Sequence, residues 1–157
     1  MSKYEWLLAL HITAAFLLVG GGVFAGALYG LARRRELPSE VALLLALLQI
    51  AVVTIGVGSI GSLVFGLWLV HVAGYGYGDG WIIGAVVFWL LAGALGGAAG
   101  NRDKRTRLLA ERLAAEGDRP SDELHALVRD RISLALNSAS TAALLVLLAL
   151  MVWKPGA

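Results

Sequence analysis

Four long apolar stretches, nearly free of charged side chains, constrain this chain more than any other feature of its sequence. They cover residues 4–32, 41–73, 81–100 and 132–153, and the only charge within them is Glu5, at the start of the first. A helix crosses a bilayer with about 20 mostly apolar residues. The runs are continuous rather than alternating, which favours helices over barrel strands. The sequence therefore predicts an all-α, polytopic membrane four-helix bundle that forms one domain over residues 1–157.

The composition agrees with a membrane protein and narrows the chemistry. Hydrophobic residues make up 59% of the chain and charged residues 15%, whereas a soluble domain is about half apolar and about a quarter charged. The chain contains no cysteine, which excludes disulfides, thiolate nucleophiles, zinc–thiolate sites and iron–sulfur clusters. The basic residues flank the apolar stretches, so we expect the lipid bilayer and not nucleic acid as the partner.

The basic residues are divided very unequally between the two sides of the predicted bundle. Three follow the first stretch and eight lie between the third and the fourth, which leaves only Lys3 and Lys154 of the thirteen for the other side. Cytoplasmic connections carry the excess of Lys and Arg. The first stretch has one lysine before it and three arginines after it, whereas a secretory signal peptide carries its positive charges before the apolar run. The sequence predicts a multi-pass protein of the cytoplasmic (inner) membrane with both termini extracytoplasmic.

The connection at 101–131 is the one sizeable soluble segment. Residues 103–115 predict a short charged helix, which Gly117 and Pro120 end. Ser121 and the two acids after it predict a fresh helix start, from which the fourth helix is expected to continue unbroken into the bilayer. The basic residues here either bind anionic lipid headgroups or only fix the topology.

Small residues recur at four-residue intervals on three of the predicted helices. The G-x-G-x-x-G pattern at 56–61 is not a dinucleotide site, because it lies inside a span and lacks the flanking strand and acid. Small residues at this spacing let helix backbones approach closely within lipid. The predicted packing residues are Gly22, Gly26 and Gly30 in the first helix, Gly58, Ser62 and Gly66 in the second, and Gly96 and Gly100 in the third.

Polar side chains within the spans are few. The fourth helix carries Asn137, Ser140 and Thr141 on one face. Gln49, on the second helix, falls at a similar depth to Asn137, and we predict a hydrogen bond between them worth roughly 0.6 kcal/mol. These four residues form the predicted polar intramembrane seam, which either packs the helices or lines a path for a small molecule or lipid.

Two histidines lie in or near the spans. His11 shares its helix face with small side chains, and His71 lies near the end of the second span, so both are expected in the outer leaflet. Imidazoles on facing helices can ligate haem iron or copper, and ionisable residues within a membrane are functional candidates. His71 also shares a face with Trp68, which instead suits the headgroup region. We expect His11 as the cofactor or metal ligand, with His71 as its candidate partner.

Three separated motifs resemble one known family. Leu8 to Ile12 with the following Val19-Gly20-Gly21, then Tyr77-Gly78-Asp79-Gly80-Trp81, then Met151 to Gly156 are similar to a bacterial integral membrane family, domain of unknown function 2269. This resemblance covers the whole chain and implies four helices but no established activity. His11 and the glycines after it also resemble the CopD-like and HemJ-like membrane proteins, a likeness that implies copper or haem handling.

Three functional hypotheses follow. The first is binding of haem b or copper through His11, with a redox role. The second is a non-catalytic accessory or assembly subunit that packs against itself or a larger membrane complex through its glycine faces. The third is transport of a small molecule or lipid along the polar face of the fourth helix. No catalytic residues are predicted, and whether the protein is an enzyme stays open.

Overall fold

The computed structural model describes residues 2–155 and is almost entirely helical. Its elements are α1 (Lys3–Ala32), α2 (Pro38–Val72), α3 (Gly80–Ala115), α4 (Asp122–Val128) and α5 (Arg131–Trp153). Four units are long and apolar enough to cross a membrane, namely α1, α2, α3 and α4 together with α5. No strand occurs within residues 2–155. The predicted all-α membrane bundle with four crossings is therefore confirmed.

The helices are arranged as two pairs. α1 packs along α2 and α3 packs along α5, and the two pairs meet through α2 and α3. α1 and α5 make little or no contact with each other. One end of the bundle carries the start of α1, the α2–α3 loop and the end of α5, and we call it the termini end. The opposite end, which carries the two basic connections, is the connection end.

The pairing of α1 with α2 follows a seven-residue repeat. The buried residues of α1 include Leu7, Ala14, Gly21 and Leu28, each seven residues after the last. An apolar or small residue every 3.5 positions keeps one seam of a helix against its neighbour, as in a left-handed coiled coil. A four-residue series lies on such a seam only if it starts on the packed face, as Gly58, Ser62 and Gly66 of α2 do.

Only some of the predicted packing glycines lie against a neighbouring helix. A Cβ added to Gly22, Gly26, Gly30 or Gly100 would meet nothing within 4 Å. Gly58, in contrast, lies so close to α1 that an added Cβ would be 2.4 Å from the backbone nitrogen of Leu18 and 2.7 Å from the carbonyl oxygen of Ala14. Contact with neighbouring helices is made by Gly58, Ser62, Gly66 and Gly96, and also by Gly21, which was not predicted.

The connection end differs from its prediction in two places. The charged segment 103–115 is not a separate helix but the polar end of α3, where two i,i+4 ion pairs, Arg107–Glu111 and Arg112–Glu116, support it. The fourth crossing is not continuous either. α4 ends at Val128, and Asp130 caps α5 by accepting from the backbone amides of Ile132 and Ser133, so the chain turns between the two helices.

The connection end is closed by a compact apolar core. Its buried members come from α1, α2, α3 and α4: Leu28, Tyr29, Ala32, Val41, Leu45, Leu48, Ala110, Leu124 and Val128. The Tyr29 hydroxyl donates to the carbonyl oxygen of Val128 at 3.3 Å. Asp118 accepts from the amide and the hydroxyl of Ser39 at 2.8 and 2.6 Å, which ties the α3–α4 turn to the start of α2. The space within the bundle therefore lies towards the termini end.

Candidate ligand cavity at the termini end

A cavity of about 200 Å³ lies between the helices at the termini end. Side chains from α1, α2, α3 and α5 surround it, and most of them are apolar. Since α1 and α5 both line the cavity but barely touch each other, this side has no helix contact to close it. The lining residues whose side chains carry hydrogen-bonding groups or a thioether are Tyr4, His11, Ser62, Tyr75, Trp81, Trp89, Met151 and Lys154.

The imidazole of His11 is held in one orientation between α1 and α2. Its Nδ1 lies 3.0 Å from the carbonyl oxygen of Ser62. A carbonyl oxygen can only accept, so Nδ1 carries the proton and Nε2 is left with its lone pair. Gly66 makes room for the ring, because a Cβ there would be 3.0 Å from His11 Cε1. The half-buried ring lines the cavity and brings one acceptor nitrogen to it.

His71 is not brought together with His11. Its side chain is exposed and does not line the cavity, although both residues belong to the termini end. The α2 face that packs on α1 carries Ser62, whose carbonyl oxygen bonds to His11, and Gly66, which makes room for the His11 ring. Position 71 does not lie on this face. Residues 2–155 hold no group of three His, Asp or Glu side chains that could bind a metal ion. A metal at His11 would therefore need ligands of another kind.

Several residues that line the cavity were not predicted from the sequence as site residues. Met151 offers a thioether to the same cavity as His11, and Tyr75, Trp81 and Lys154 stand together where the α2–α3 loop meets the end of α5. The signal that could have revealed Lys154 is its isolation, since it is one of only two basic residues predicted on its side of the bundle.

Tyr75, Trp81 and Lys154 form what we call the cavity mouth. The two rings meet edge to face with centroids 5.5 Å apart. The Lys154 ammonium lies 5.0 Å from the Tyr75 centroid and 5.7 Å from the Trp81 centroid, within the range of cation–π attraction. Its Nζ is also 3.5 Å from the Tyr75 hydroxyl. The mouth therefore combines a positive charge with two aromatic side chains that can donate hydrogen bonds.

The predicted polar seam does not form as a unit. Gln49 is exposed, and no hydrogen bond joins it to Asn137 within the described part of the chain. α2 and α5 belong to different helix pairs, so similar depth does not bring these side chains together. Ser140 does bond across helices, to the carbonyl oxygen of Ala92 at 2.9 Å, whereas Thr141 donates back to Asn137 of its own helix. These bonds give packing, and no continuous polar path results.

The comparisons with known proteins return one finding. A family model described as "Predicted integral membrane protein (DUF2269)" matches residues 5–155. No curated protein and no solved structure matches the chain. The match covers nearly the whole sequence, including every residue that lines the cavity except Tyr4.

Proposed function

We propose that this chain, which belongs to the DUF2269 family of predicted integral membrane proteins, binds haem b in the cavity at the termini end, with His11 as an iron ligand and with a redox role. The observation that carries this proposal is the orientation of the His11 ring. Its Nδ1 donates to the Ser62 carbonyl, so Nε2 is available as a ligand inside a largely apolar cavity.

The ligand set favours haem over a copper ion held by protein side chains alone. The haem macrocycle supplies its own equatorial nitrogens, so one or two protein ligands are sufficient. A protein-bound copper ion needs several donors, and among the described lining residues Met151 is the only soft companion of His11. The Met151 thioether would help to hold either group beside His11, the haem iron or Cu(I).

The surroundings of His11 suit an electron-transfer haem. A histidine ligand whose second nitrogen donates to a carbonyl is fixed in tautomer and orientation and becomes a stronger ligand. Bound haem would supply one-electron chemistry, and the apolar lining would set its potential by excluding water. The open side between α1 and α5 provides a route for a flat, lipophilic molecule, which would push these helices apart as it enters.

The test is to purify the full chain in detergent after expression with ample haem and copper. We expect a Soret band and equimolar haem in the pure protein. Colourless, metal-free protein that also fails to take up added haem contradicts the proposal. Purified protein that contains copper without haem would favour the alternative in which the cavity holds Cu(I).

The orientation of the bundle is part of the proposal. We infer from the basic connections that the connection end is cytoplasmic, so that the cavity lies in the outer leaflet of the cytoplasmic membrane. The chain has no cysteine, so single cysteines can report the topology. In intact cells, Gly78→Cys is expected to react with a membrane-impermeant maleimide and Arg119→Cys only after lysis. The opposite labelling pattern contradicts this orientation.

A second candidate function is assembly with further copies of the chain. Gly22, Gly26 and Gly30 leave open space along α1, and Gln49 is exposed on α2 within an apolar stretch. Small-residue faces and polar side chains both drive helix association in lipid.

If this face associates, Gly26→Leu should lower energy transfer between labelled copies in a bilayer. Gly20→Leu is the matched control, because Gly20 is also open but lies on another side of α1. Equal transfer in both variants and in the unchanged chain contradicts assembly through this face.

A further inference from the structure

The cavity mouth contains a buried hydrogen-bond donor with no acceptor. Trp81 is only 7% exposed, and its Nε1–H has no partner within residues 2–155. Trp89 lines the same cavity but donates to the carbonyl oxygen of Ser59 at 3.3 Å. Buried donors in folded proteins are nearly always paired, with protein, water or ligand. Trp81 is therefore the donor in this cavity that calls for an acceptor from outside residues 2–155.

A positive charge lies beside this donor. Lys154 folds back over the rings of Tyr75 and Trp81 and is half-buried. No carboxylate within residues 2–155 lies at ion-pair distance from it, since the ion pairs found there all belong to the connection end. A lysine that only anchors a helix extends its amine into water. Lys154 instead places its amine against the wall of the cavity.

We propose that the cavity binds amphipathic molecules whose anionic oxygen group, a carboxylate or phosphate, is held at the mouth by Trp81 and Lys154. One oxygen would accept from Trp81 Nε1–H and another from the Lys154 ammonium, and a charged acceptor of this kind forms the stronger class of hydrogen bond. The apolar body of the molecule would lie against the lining below. The inference rests on the proposed function only in that both place a ligand in the same cavity.

The chemistry at the mouth is shared by three kinds of molecule. Haem b carries carboxylates, a fatty acid carries one, and an anionic phospholipid carries a phosphate. Each would set its anionic group at the mouth and its apolar part towards His11. The ligand's charged group is therefore the property to test, independently of iron.

The experiment compares oleate with oleyl alcohol, which has the same chain but no charge, on the full-length protein in neutral-lipid nanodiscs. Binding is followed by displacement of a fluorescent fatty acid. We expect oleate to bind about tenfold more tightly than the alcohol, as a charge-assisted hydrogen bond allows. Equal binding of the two probes overturns the proposal, and so does failure of both to bind.

Two substitutions assign the preference to the mouth. Trp81→Phe keeps the ring but removes the N–H, and Lys154→Met keeps the chain length but removes the charge. Each should reduce the preference for oleate to threefold or less, an expected factor based on losing one of two such bonds. Trp153→Phe and Lys3→Met are the matched controls, because both residues are exposed and neither lines the cavity. A preference that both mouth variants keep overturns the assignment even if wild-type oleate binds well.

A last comparison separates this inference from haem binding. Haem b and its dimethyl ester share iron and macrocycle, but the ester has no carboxylate. If haem binds, the mouth should favour haem b over the ester, and Lys154→Met should reduce that preference while the Soret band persists. If neither haem form binds, the proposed function fails, and the oleate comparison still decides the present inference. Phosphatidic acid as competitor distinguishes a lipid headgroup from a free carboxylate as the bound group.

Discussion

Substituting alanine for Gly58 is expected to separate α1 from α2 and to destabilise the bundle by about 3 kcal/mol or more, as overpacking of a close helix contact does. The added Cβ would be 2.4 Å from the backbone nitrogen of Leu18 and 2.7 Å from the carbonyl oxygen of Ala14. Both are main-chain atoms of a long helix, so no rotamer change can relieve the clash. The whole of α1 would have to move away. Unfolding in graded dodecyl sulfate, followed by circular dichroism, measures the loss.

Gly26→Ala is the matched control for this substitution. Gly26 lies within α1 with open space around it, so the methyl group of an alanine there would project away from the bundle. We expect the free energy of unfolding to stay unchanged or to rise by about 0.4–1 kcal/mol, because alanine has fewer unfolded conformations to lose than glycine. If Gly26→Ala lowered the stability of the bundle as much as Gly58→Ala does, the close α1–α2 contact at Gly58 would not be the cause of the loss.

The second large effect is expected at His11. His11→Ala should abolish the Soret band of haem-loaded protein, because Nε2 of this ring is the ligand proposed for the iron. The alanine variant leaves space where the ring stood beside Gly66. Free imidazole added at millimolar concentration should enter that space and restore part of the band. Absorption spectra of the purified variant with and without imidazole provide the measurement.

His71→Ala is the control, because its side chain is exposed and lies outside the cavity lining. We expect an unchanged Soret band and an unchanged reduction potential. Loss of the band in His71→Ala together with its persistence in His11→Ala would falsify the assignment of the ligand. Met151→Leu adds a graded result: a shift of the band with retained haem would identify the thioether as a second ligand to the iron.

Much of the fold could be predicted because lipid imposes simple rules. Uncharged runs of sufficient length must be helical in a bilayer, so the crossings follow directly from the sequence. The starts of α2 at Pro38 and of α4 after Ser121 also follow from local chemistry, since proline favours the first helical position and serine the N-cap. The break at Asp130 was missed, because the apolar residues of α4 continue the pattern of α5 and conceal the cap.

The packing faces were predicted less well, for a physical reason. Four-residue and seven-residue spacings of small residues coexist in α1, and the more conspicuous series, Gly22, Gly26 and Gly30, lies off the seam. Leu7, Ala14, Gly21 and Leu28 differ in both size and residue type, so no single residue pattern marks their repeat in the sequence. The same seven-residue register places His11 within hydrogen-bonding distance of α2.

The cavity could be predicted only in part. His11 was identified as a candidate ligand because an ionisable side chain within a span is rare. Trp81, Met151 and Lys154 come from separate helix ends, and their proximity depends on how the pair α3–α5 meets the pair α1–α2. The expected bond from Gln49 to Asn137 failed for the same reason, since depth in the bilayer does not determine which helices are neighbours.

The missing contact between α1 and α5 bears on how binding to this protein must be quantified. A cavity that opens sideways between two helices can exchange a lipophilic ligand with the surrounding lipid. Occupancy is then governed by the mole fraction of ligand in the leaflet, a surface density, and by how strongly the ligand partitions into it. Dissociation constants expressed per aqueous volume will change with the amount of lipid in the sample, whereas those expressed per lipid should stay constant.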